Sequence, residues 1–111
     1  MFGSKEKRIM HLIEKGKWEE LNKYLRQDAE TRLVLAQECS KAKDPGVNSI
    51  LTALMRDNDK RVQLAAVKSI AVTGKDHEVA QLQWLLSNTP EDDKELLIAV
   101  HDAISNVRGK R

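Results

Sequence analysis

The sequence predicts an all-α fold built as a short stack of helical hairpins. Three observations predict it. Apolar residues recur at three- and four-residue spacing and do not alternate as in strands. Gly and Pro are scarce, 5 and 2 among 111 residues, and they stand where the periodic runs end. The chain also repeats itself, with a period of about thirty residues.

The elements follow in order. The first helix is expected over 5–15, where Ile9, Leu12 and Ile13 form an apolar edge and Lys5, Lys7, Arg8 and Lys15 point outward. Gly16 stops it. The second helix is expected over 17–27, and Asp28 caps the third, over 29–42. Asp44-Pro45 opens the fourth, 45–56, and Asp59 caps the fifth, 59–73, which Gly74 ends. Asp76 opens the sixth, 76–88. Thr89-Pro90-Glu91-Asp92 opens the seventh, 90–108, with a capping hydroxyl, Pro at the first helical position and acids in the first turn; Gly109 follows. The short connections predict antiparallel neighbours.

The internal repeat pairs these helices. "KDPGV" ends at Val47 and "KDHEV" at Val79, and each leads into an apolar helix. On that alignment Trp18, Val47 and Val79 correspond, as do Leu21, Ile50 and Leu82, and Leu25, Leu54 and Leu86. In the second helices Thr31, Val62 and Leu96 correspond, then Leu35, Ala66 and Val100, then Cys39, Ile70 and Ile104. The chain therefore reads as one domain, 1–111, with a cap helix at 5–15 and hairpins at 17–42, 45–73 and 76–108.

The central hairpin, "LMRDNDKRVQLAAVKSIAVTGKD", resembles a HEAT repeat through Asp57-Asn58-Asp59, Val62, Ala66-Val67, Ser69-Ile70 and Gly74. The flanking hairpins are similar mainly in apolar spacing. The resemblance covers roughly residues 17–108 and implies a right-handed α-solenoid whose second helices line one surface offered to a protein partner. Such repeats often carry Arg right after the Val, forming a ladder with turn aspartates. Only Arg32 stands there; Gln63 and Leu97 fill the other two places.

Stepping 100° per residue from Val62 puts Val62, Ala66, Ser69, Ile70 and Thr73 against the first helix of the same hairpin. Ala65 and Val72 fall on one flank, Val67 and Ala71 on the other, as a helix packed between two neighbours requires. The remaining strip holds Arg61, Leu64 and Lys68. Its counterparts are Glu30, Leu33 and Gln37 in the first repeat and Glu95, Ile98 and Asp102 in the third. The row Leu33–Leu64–Ile98 beside Gln37–Lys68–Asp102 has two readings: an exposed partner-binding groove, or side chains packed between neighbouring helices. Trp84 also has two: an exposed anchor, or a ring laid over a neighbouring helix end. Trp18, aligned with valines, is expected in the core. Leu97 beside Ile104 leaves the last repeat apolar at its end, which points to a homodimer through that repeat or to cover by the C-terminal residues.

The remaining chemistry is sparse. His11, His77 and His101 are scattered, so neither metal nor cofactor is expected. Cys39 aligns with Ile70 and Ile104 and should be buried and inert. Glu91-Asp92-Asp93 reads as charge at a helix start, and no Gly-rich phosphate loop is present. The net charge of +2 and four aromatics, Phe2, Trp18, Tyr24 and Trp84, argue against a nucleic-acid surface. A single cysteine suits a reducing compartment, and "MFGSKEKR" is followed by no apolar stretch that would make a signal peptide. No run approaches the roughly 20 apolar residues of a membrane span. The expected function is a cytoplasmic, non-enzymatic protein-binding module. The alternatives are a nucleic-acid binder, similar to HEAT-like alkylpurine DNA glycosylases, and an enzyme accessory, similar to HEAT-like bilin lyases.

Overall fold

The computed structural model describes residues 3–109, and every regular element among them is helical. In order these are α1 (Ser4–Glu14), α2 (Trp18–Tyr24), α3 (Ala29–Cys39), α4 (Val47–Leu54), α5 (Lys60–Thr73), α6 (Val79–Asn88) and α7 (Lys94–Arg108). A 3-10 turn, Asp76–Glu78, leads into α6. α2, α3 and α4 end earlier than the periodicity predicts, as their last turns tighten into 3-10 geometry or pass into turns, and α4, α6 and α7 begin later because their expected first residues form turns.

Three predicted end signals act as expected. Gly16, at φ +65°, closes α1 in a Schellman motif: its N–H donates to Ile13 O, and the Lys17 N–H donates to Leu12 O at 2.9 Å. Asp28 Oδ1 accepts from the Thr31 N–H, and Asp59 Oδ1 from the Arg61 N–H, both at 2.9 Å. At the starts of α4, α6 and α7 the sequence signal misleads. Thr89 does not cap α7. Its hydroxyl turns back to donate to Leu85 O at 2.7 Å, residues 90–93 form a turn, and Asp93 is the cap, accepting from the Leu96 N–H at 3.3 Å. Asp76 does not cap α6 either; it lies within the 3-10 turn, where Glu78 Oε1 accepts the Lys75 N–H at 2.6 Å. Asp44 folds over the Gly46 N–H at 2.8 Å, and α4 starts only after that turn.

α1, α3, α5 and α7 lie side by side in one layer, each packed on the next. α4 packs behind α5, α6 behind α7, and α2 against α1 and α3. Contacts near the helix ends fix the directions. Glu30, in the first turn of α3, pairs with Arg61, in the first turn of α5, at 2.7 Å. Lys60 at the start of α5 pairs with the α7 cap Asp93. Lys5 Nζ in α1 donates to Thr31 Oγ1 in α3 at 2.9 Å. The four helices of this layer therefore run parallel. α1 is its first member, lateral to α3 and in contact with α2.

The core runs through both layers. Ile9, Leu21, Leu35, Leu51, Val62, Ile70, Leu82 and Val100 are fully or almost fully buried. Trp18, expected in the core, is half-buried. Its ring covers Gly46, where a Cβ would come within 2.6 Å of Trp18 Cζ2, so the close approach requires glycine. Ser69 does not face the first helix of its own hairpin. Its buried hydroxyl crosses to α3 and donates to Ala36 O at 2.6 Å. There the α3 helix ends in 3-10 geometry, with the Ser40 N–H directed to Gln37 O, so Ser69 supplies a donor to a last-turn carbonyl. Thr73 does face its own hairpin partner: its Oγ1 donates to Asn48 Oδ1 at 2.6 Å.

Candidate functional site

α3 and α5 present one strip together on the outer side of the layer. α3 brings Leu33 and Gln37, and α5 brings Arg61, Leu64 and Lys68, because these positions are spaced three and four residues apart on helices that start side by side. They line a common open groove of ≈ 510 Å³. Ser40, Ala65, Ser69 and Val72 complete its walls. The two readings of the apolar row are both partly realised. Leu33 and Leu64 are half-buried and packed on the core, yet they still line the groove. Ile98 on α7, outside that groove, is 61% exposed.

Val72 is the main lining residue that periodicity misplaces. Expected between neighbouring helices, it is 61% exposed on the groove wall. It lies eight residues beyond Leu64 on the same side of α5, so the 64–68–72 spacing carried the signal. Asp102 is exposed on α7 and does not line the groove.

Electrostatics divide the strip. The Arg61 guanidinium donates to Glu30 Oε1 at 2.7 Å and to Asp59 Oδ2 at 3.3 Å. The carboxylates of Asp59 and Glu30 push its pKa further up, so it stays cationic. Lys68, one turn beyond Leu64, has no carboxylate in ion-pair range among the described residues. The groove thus joins an apolar floor to one satisfied and one unsatisfied cation.

Trp84 stands apart from this strip, on α6 in the other layer. It is 44% exposed, and the Arg56 guanidinium carbon lies 3.8 Å from the ring centroid. Arg56 also donates to Gln81 Oε1 at 3.1 Å, which holds it over the ring. Cys39 is fully buried, and burial first, then the neighbouring Glu38 charge, pushes its thiol up to about 12. A nucleophilic cysteine needs the opposite shift. Among the described residues no three His, Cys, Asp or Glu side chains gather as metal ligands, and no helix is long and apolar enough to cross a membrane.

No protein-family model, curated protein or solved structure matches this chain.

Proposed function

We propose that this chain is a non-enzymatic protein–protein interaction module of HEAT-like architecture, which binds a protein partner through the face formed by α3, α5 and α7. On this reading the hairpins 17–42, 45–73 and 76–108 form a short right-handed solenoid in the cytoplasm, with α1 extending the binding layer at its first edge. The groove between α3 and α5 carries the reading. It combines half-buried leucines, an exposed valine and an unpaired lysine on a rigid pair of helices. Apolar surface of this kind, rimmed by polar groups, marks protein interfaces. The parallel packing of α3, α5 and α7 also supports it, because stacked second helices give a continuous surface.

The test is affinity purification from the native host, comparing wild type with Leu64→Asp. Circular dichroism first establishes that the variant is folded. The expected result is a partner held by the wild type and lost from the variant. Identical captured proteins for both would contradict the assignment.

A further inference from the structure

Two strips on this face match in spacing and oppose in charge. On α5, Arg61, Leu64 and Lys68 read cation, apolar, cation; on α7, Glu95, Ile98 and Asp102 read anion, apolar, anion. Both strips use the same three- and four-residue steps, so each forms one line along its helix. Within one molecule α5 and α7 pack side by side and start at the same level. Among the described residues neither Lys68 with Asp102 nor Arg61 with Glu95 forms an ion pair, whereas Arg61 does close on Glu30. Glu95 and Asp102 are exposed. Among the described residues only Val72, Trp84 and Ile98 are large apolar side chains left exposed; Ile98 is the centre of the α7 strip, and Val72 continues the α5 line one turn beyond Lys68.

From this complementarity we propose that the partner seated on the face is a second copy of the same chain. The inference rests on reading the face as an interface. α5 and α7 run parallel, with Lys60 paired to Asp93 at their starts and Gly74 close to Val107 at their ends. A twofold axis along the helix direction, over the valley between α5 and α7, lays α7 of each copy on α5 of the other. Rotation about that axis keeps helix direction, so the strips meet in register. Glu95 of the partner subunit then faces Arg61, and Asp102 of the partner subunit faces Lys68. Ile98 of the partner subunit enters the groove between Leu33 and Leu64, and Val72, two turns further along α5, lies beyond the Lys68–Asp102 level. Each contact occurs twice, once per copy. This geometry differs from end-to-end stacking through Leu97, which is half-buried.

Sedimentation of the full chain across micromolar to millimolar concentration tests it. The wild type is expected to form a dimer that salt weakens. Lys68→Glu and Asp102→Lys, both at exposed positions, are each expected to weaken it about tenfold or more, because like charges then face each other twice. The double variant restores opposite charges and is expected to recover most of the affinity. A protein monomeric throughout this range overturns self-association, and a partner other than this chain lost on Leu64→Asp would then leave the interface reading standing. A dimer indifferent to both reversals also overturns the proposal, since its contacts lie elsewhere.

Discussion

Arg32 and Asp57 are joined at two points, Nε to Oδ2 at 2.7 Å and Nη2 to Oδ1 at 3.1 Å. The pair ties the start of α3 to the turn between α4 and α5. Asp57 Oδ1 also accepts the Asp59 N–H at 2.9 Å, and Arg32 Nη1 donates to Gln27 O at 2.6 Å, so α3, the turn before it and the turn between α4 and α5 meet there, three segments in all. The hydrogen bonds to Asp57 raise the Arg32 pKa. At the equivalent place on α5, Gln63 donates instead to Met55 O at 2.9 Å, so the ladder has a single charged rung. Arg32→Lys is expected to lower the melting temperature, because an ammonium cannot reproduce the planar fork. Arg32→Ala should lower it further, and Arg32→Ala with Asp57→Ala should lose less than the sum of the single changes. Additive losses in thermal melts would show that the two residues act separately.

Ser69 is the buried link between α3 and α5. Ser69→Ala removes the donor from the Ala36 carbonyl and is expected to cost about 1–3 kcal/mol in urea unfolding. An unchanged midpoint would show that another donor replaces it.

Gly46 lies under the Trp18 ring. Gly46→Ala is expected to displace that ring and destabilise the fold by about 1–3 kcal/mol, as overpacking does. Trp18 emission, measured in a Trp84→Phe background, should shift. No spectral change would show that the ring has room to spare.

Stability should fall at both pH extremes, for different reasons. Thr31 holds Asp28, and Arg61 holds Asp59, below the ordinary carboxyl value of 3.8. A depressed folded pKa contributes stability above the unfolded value, and that stability is lost as pH falls through the folded one. Asp28→Asn and Asp59→Asn should therefore flatten the acid limb below about pH 4. Cys39 has the opposite shift, from 9.0 to about 12. Its contribution is present below pH 9.0 and is lost as pH rises toward 12. A disulfide reagent at neutral pH should label Cys39 only as fast as the chain opens; rapid labelling of the native protein would contradict its burial.

Much of the helical layer was legible because its signals are local. Asp28, Asp59 and Gly16 act within one turn of their own positions, and 100° steps placed Leu33, Gln37, Arg61, Leu64 and Lys68 on one side of α3 and α5. Signals that depend on a neighbour were not legible. Thr89-Pro90 looks like a helix start, but Thr89 bonds back to Leu85 while Asp93 is held by Lys60. Periodicity turned Ser69 toward the first helix of its own hairpin, whereas its hydroxyl crosses the layer to Ala36 O. Val72 was assigned to a packed flank although the 64–68–72 spacing continues the strip, because how open the space beside α5 is at that level depends on its neighbours.

Site-specific photo-crosslinking distinguishes a binding face on α3 and α5 from the rest of the surface. A photo-reactive amino acid at position 68 should give a covalent protein adduct in the native setting, while the same group at the exposed Lys23 on α2 should give none. No adduct from position 68, or equal adducts from both positions, would show that α3 and α5 do not form the binding face.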